Sequence, residues 1–133
     1  MSLLLSLFFY YNLTIMKLNL PRIIPIFPLS GVIFFPKTSL PLNIFEQRYL
    51  TLINDCIKSN KYMGMIQTKS NNSDVYSIGC LGKITSYKKT KEGRLLITLT
   101  GVSRFEIISE INSDNIYRQF EVSYEKFLQD HEQ

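Results

Sequence analysis

Apolar residues recur along this chain with two different periods, and prolines separate the two. Between Phe45 and Ile57 they fall at Phe45, Tyr49, Leu52, Ile53, Cys56 and Ile57. That spacing draws one apolar stripe down a helix. Asn43, with Glu46 three residues on, predicts a capping box at its start, and Asn60 marks its stop. From Leu95 to Thr100 the period is two. Leu95, Ile97 and Leu99 share one face, and Leu96, Thr98 and Thr100 share the other, the pattern of a strand packed on one side. "GCLGKITSYKKT" precedes this strand across Lys91-Glu92-Gly93, a hairpin signal. "RIIPIF", "GVIFF", "YMGMIQT", "RFEIISEI" and "QFEVSYEKF" read as further strands, and Lys69 to Asp74 as a polar loop. The strand pattern persists to about Tyr124, and "EKFLQDHEQ" then turns polar.

Four of the five prolines, Pro25, Pro28, Pro36 and Pro41, lie in "IPIFPLSGVIFFPKTSLPLNIFEQRY", from Ile24 to Tyr49. Proline is tolerated at strand starts, edges and bulges but not in central ladders. Short apolar strands broken by prolines must bend sharply at corners. The pattern therefore predicts a mainly β fold with one α-helix, a small and strongly curved pseudo-barrel.

The first residues, "MSLLLSLFFYYNLTIMK", fit none of these elements. A membrane span needs about 20 apolar residues, and the run from Leu3 to Tyr11 is far shorter. A secretory signal needs a basic start and a small-residue cleavage site, and no Lys or Arg stands before Lys17. The preferred expectation is a start at Met16 with an upstream extension before it. On this reading residues 1–22 are an N-terminal extension, 23–124 the domain, and 125–133 a polar tail.

Composition narrows the classes. With 133 residues, 45% hydrophobic and 20% charged, the chain supports one modest core and is not a disordered segment. The net charge of +4 permits an acidic partner without demanding one. Cys56 and Cys80 have no metal or redox spacing and read as buried, reduced thiols of a cytoplasmic protein. The one histidine, His131, stands in the polar tail, where a solvated role fits better than a catalytic one.

The order "IPIFPLSGVIFFP…LPLNIFEQRY", a helix, "MGMIQT", "VYSIGCLGKI" and "GRLLITLTGVSRFEI" resembles the N-terminal substrate-binding domain of Lon proteases. It is most similar to the small stand-alone bacterial proteins that carry this domain without the protease. The likeness runs from about Ile24 to Ile111 and implies a PUA-like β pseudo-barrel with one packed helix. Two departures stand out. Gln47 replaces a proline common in the family, and the helical region that usually follows the β domain has no counterpart before Gln133.

Full Lon proteases work through an ATPase module and a serine–lysine protease module. Neither signature is here. A phosphate loop needs G-x-x-x-x-G-K-[ST], and "GCLGKIT" has the wrong spacing, with Ile84 after the lysine. Gly79 and Gly82 read better as close-packing or bulge glycines. No G-x-S-x-G surrounds any serine. The expectation is a non-catalytic module, without metal or cofactor, that binds exposed apolar segments of unfolded or damaged proteins. Phe34, Phe35, Leu40, Leu42, Met63 and Met65 are the candidate peptide contacts, each weighed against simple core packing. Glu46, Arg48 and Arg104 are candidate polar contacts, weighed against helix-start and salt-bridge roles. Lys88, Lys89, Lys91 and Arg94 cluster at the hairpin tip, so an RNA-binding PUA-like module is the alternative, disfavoured because only Tyr87 could stack there. A remnant of a longer protein, without a function of its own, is the other alternative. No membrane partner is expected. An apolar patch left bare between Phe120 and Leu128 would promote self-association.

Overall fold

Among the described residues, five strands close into a ring, and a sixth is added to its outside. The computed structural model of the protein describes residues 3–18, 20–70 and 74–131. A helix, α1 (Leu3–Leu18), precedes β1 (Ile23–Leu29) and β2 (Ser39–Ile44). Then come α2 (Gln47–Ile57), β3 (Tyr62–Gln67), β4 (Ile78–Lys89), β5 (Leu95–Ile111) and β6 (Gln119–Ser123). A 3-10 segment, Glu125–His131, follows. The sheet runs β2-β5-β4-β3-β1-β6, and β5 also pairs with β6, which closes it. None of the described helices is long and apolar enough to cross a membrane.

The prolines are explained by a change of neighbour inside β1. Ile23 to Pro25 pair with β6, and Ile26 to Leu29 pair in parallel with β3. Each half of β1 thus has one ladder partner, so Pro25 and Pro28 are tolerated inside a strand of the ring. Pro41 sits in β2, an outer strand paired only with β5. "RFEIISEI" is not a separate strand. It continues "RLLITLT" in a single 17-residue β5, which pairs with β2 from Leu95 to Thr100, with β4 from Leu95 to Glu106 and with β6 from Glu106 to Ile111.

Two apolar cores result. One packs Leu52, Ile53 and Cys56 of α2 on Ile84, Leu95, Ile97 and Leu99. The other fills the ring with Ile24, Ile26, Leu81, Phe105, Phe120 and Tyr124. Gly82 stands at a register shift in β4, where an added Cβ would lie 2.5 Å from Leu99 Cγ. Its reading as a bulge and close-packing glycine holds. Cys56 and Cys80 are buried free thiols.

The helix start departs from expectation. Asn43 belongs to β2, and Glu46 caps α2 through its backbone carbonyl, with no side-chain cap. No capping box forms because pairing with Leu96 of β5 holds Asn43 in the ladder. Phe45 lies one residue before the cap, off the stripe, and is 66% exposed. At the far end Asn60 does not end the helix itself. Its Oδ1 accepts the N–H of Tyr62 and starts β3.

The expected bare patch at the end of the chain is absent. Phe120, Val122, Tyr124 and Phe127 are all buried, because the 3-10 segment folds back on β5. Tyr124 donates its hydroxyl to the Pro21 carbonyl and joins the two ends of the domain. The side chain of His131 lies outside the described residues.

Candidate functional site

The segment from Val32 to Phe35 forms no strand. Four consecutive apolar residues between Gly31 and Pro36 lack the alternation that lets one face pack and the other meet water. Instead the segment crosses the open end of the sheet as a loop. Gly31 takes a left-handed φ of 75° at its entry. Gln67 Nε2 donates to the Val32 carbonyl at 2.8 Å. At the exit Thr38 Oγ1 donates to the Phe35 carbonyl at 2.7 Å, and Lys37 N–H donates to the Gly101 carbonyl at 2.8 Å. Gly101 is required here, since any Cβ would collide with the Phe35 carbonyl.

The pinned loop roofs a pocket of about 180 Å³. Its floor is Met65 and Ile66 of β3 and Gly79 and Cys80 of β4, with Arg104 of β5 at one side. Gly79 lets β4 lie close against β3 and the ring core, because a Cβ there would stand 2.6 Å from both the Met65 carbonyl oxygen and Phe105 Cζ. Around the mouth, apolar side chains face water. Ile33 is 70% exposed, Phe35 55%, Tyr76 53% and Ile78 46%. A second depression, beside Gln67, Tyr76 and Ile78, continues the surface.

Its electrostatics are quiet. Burial pushes the Cys80 thiol up to about 12, with the nearby Asp130 charge adding to the rise, so it stays neutral. A nucleophile needs the thiolate, so the floor offers a small apolar wall rather than a reactive group. Arg104 is already engaged. Its Nε and Nη2 donate to the two Asp130 oxygens at 3.0 and 2.8 Å, and its guanidinium lies 4.7 Å from the Phe127 ring centre. Asp130 also accepts the Arg104 backbone N–H at 3.0 Å. Arg104 therefore fastens the 3-10 segment to β5 and edges the pocket. Among the described residues no cluster of three His, Cys, Asp or Glu could hold a metal.

Of the sequence candidates, Phe34, Phe35, Met65 and Arg104 meet at this pocket. Met63 is fully buried in the core under α2 and offers no surface. Leu40 and Leu42 pack half-buried against that core from β2. Glu46 and Arg48 lie at the exposed start of α2, where Arg48 stacks 5.8 Å from the Tyr49 ring centre. Val32, Ile33, Gln67, Tyr76 and Ile78 were missed by sequence reasoning. The available signal was an apolar run without alternation, bounded by Gly31 and Pro36.

A family model described as the ATP-dependent protease La (LON) substrate-binding domain matches residues 23–132. The chain is 33% identical over 103 residues to the Lon protease of Desulfosudis oleivorans, covering 72% of this chain and 13% of that protein. It is 27% identical over 98 residues to Lon protease 2 of Myxococcus xanthus, covering 69% of this chain and 12% of that protein. The chain thus spans about an eighth of the length of these relatives. Among solved structures it is similar to the crystal structure of a Lon N-terminal domain protein from Xanthomonas campestris. There the TM-score is 0.67 and the identity 27%, over 78% of this chain and 60% of that one. The N-terminal domain of a Mycobacterium avium complex Lon protease shares the fold at a TM-score of 0.64 and 15% identity, over 77% of this chain and 54% of that one.

Proposed function

The chain belongs to the Lon substrate-binding domain family, and from that premise we propose that it is a non-catalytic module taking exposed apolar segments of unfolded or damaged proteins at the loop-roofed pocket. The observation that carries this reading is the exposed apolar rim of Ile33, Phe35 and Ile78 around a preformed pocket. Contiguous apolar surface on a folded domain marks an interaction site. The pocket is smaller than the roughly 300–1,000 Å³ of small-molecule sites, so its volume suits one side chain of a longer segment. Met65 on the floor adapts its shape to different occupants. Such a site binds weakly and tolerates sequence variation, as sorting of unfolded chains requires.

The test is a titration of unfolded casein against the full chain and against Ile33→Asp/Phe35→Asp, at low and high salt. Both residues are exposed, so the variant folds. Binding that changes little with salt and falls at least tenfold in the variant is the expected result. Equal binding by both proteins would remove the site from consideration. A salt-steep affinity for generic RNA, lost when Lys88, Lys89 and Lys91 become Ala, would favour the RNA reading instead.

A further inference from the structure

The other end of the sheet carries a second, chemically different surface. β3 pairs with β4 only from Cys80 to Lys83, whereas β5 accompanies β4 as far as Lys89. Ile84 N–H still finds the Lys61 carbonyl at 2.9 Å. Beyond it one side of β4 has no neighbouring strand among the described residues, and Thr85 to Lys89 are all exposed.

The register says which backbone groups face that open side. Thr90 N–H donates to the Arg94 carbonyl at 2.9 Å, so the 90–94 pair is hydrogen-bonded. In an antiparallel ladder the hydrogen-bonded pairs alternate with unbonded ones. Lys88 with Leu96 and Ser86 with Thr98 are then bonded, and Tyr87 and Lys89 direct their N–H and C=O groups away from β5. The same alternation turns the nitrogen of Pro41, opposite Thr98, to the outer side of β2, where no N–H is needed. The two edges of this arm therefore differ. Proline blunts the β2 edge, and the β4 edge keeps its donors and acceptors but is set among lysines.

We propose that the open edge of β4 from Tyr87 to Lys89 takes an extended acidic segment of another protein as an added strand. Lysine on an edge strand repels a second copy of the same positive chain and so guards against self-pairing. The same charges favour a strand of opposite sign. Lys88 and Lys89 project to the two faces of the edge, Lys91 stands at the tip, and the only acid of the turn, Glu92, leans toward Arg94 at 3.7 Å. Lys88 shares its face of the arm with Leu96 and Pro41, which help line a shallow groove of about 470 Å³ across β5, so apolar surface as well as charge borders the edge on that face. The occupant alternates acidic and apolar residues. Nucleic acid fits this edge less well, because the cations crowd one tip and, among the residues that line the groove, only Tyr87 offers a ring for stacking.

The probe is a peptide of alternating Glu and Val, compared with one of alternating Lys and Val, added to the full chain. Amide hydrogen exchange is followed by NMR. The Glu peptide is expected to slow exchange at Tyr87 and Lys89 at least tenfold and to leave Ile33 and Phe34 unchanged, while the Lys peptide does nothing. Lys88→Glu/Lys89→Glu, both exposed positions, is expected to reverse the preference. Protection confined to residues 32–35 and 78, or equal response to both peptides, would overturn the proposal. So would stronger protection of Tyr87 and Lys89 by single-stranded RNA.

Discussion

Two segments of nearly equal apolarity have opposite fates. In β5, Leu95, Ile97 and Leu99 alternate with Leu96, Thr98 and Thr100, and the first set is buried to 5% exposure or less. Between Gly31 and Pro36 every residue is apolar, and Ile33 and Phe35 stand mostly in water. The difference is not hydrophobicity. A strand with period two has one face to bury and one to hydrate, whereas an unbroken run crossing a sheet end cannot hide all its side chains. The loop is kept in place by polar anchors, the Gln67 amide, Thr38 hydroxyl and Gly101 backbone, and by Phe34, which packs half-buried against the core. Apolar surface held open by specific hydrogen bonds is where a partner can gain from contact.

Truncation breaks the comparison most visibly. Leu99→Ala leaves a cavity under α2 and is expected to cost about 2–5 kcal/mol of stability. Ile33→Ala removes side-chain atoms already in water and is expected to stay within about 0.5 kcal/mol. Denaturant midpoints of the two variants decide the matter. A large loss at Ile33 would mean that the loop is core in solution.

The two cysteines sharpen the comparison further. Cys56 lies on the buried face of α2 and Cys80 under the loop, and burial pushes both thiols up from 9.0 to about 12. Between these values the unfolded chain releases protons that the folded chain retains, so stability falls as pH rises. The contribution is complete below pH 9 and is lost progressively toward pH 12, by at most about 1.4 kcal/mol per pH unit for each thiol. Cys80→Ser should remove its share of that slope. An unchanged slope in Cys80→Ser would show that the pocket floor is wetter than the core under α2.

What was legible in the sequence was local. The α2 stripe from Tyr49 to Ile57, the hairpin turning at Gly93 and the bulge glycine Gly82 each follow from spacing within a dozen residues. The resemblance to Lon substrate-binding domains supplied the order of elements, which the ring of strands bears out. What failed was decided by distant partners. "GVIFF" has strand-like composition, but no neighbour supplies a ladder for it. Phe127 and the 3-10 segment find cover only because Arg104, 26 residues earlier, clasps Asp130. Asn43 could have capped α2, but pairing with β5 claimed it first. Of the six candidate peptide contacts, all but Phe35 proved to be core or core-flanking, as for Met63 and Leu40, because burial depends on which strand lies next and not on residue type.

Two exposed phenylalanines allow the most direct test of the central claim. Phe35 rims the pocket at 55% exposure, and Phe45 stands free of it before α2 at 66%. A photo-crosslinking benzoylphenylalanine is placed at each position in turn, and the protein is illuminated with unfolded casein. The account predicts strong crosslinking from position 35, competed away by excess unlabelled casein, and only background from position 45. Equal yields from both, or a yield from position 45 alone, would contradict it.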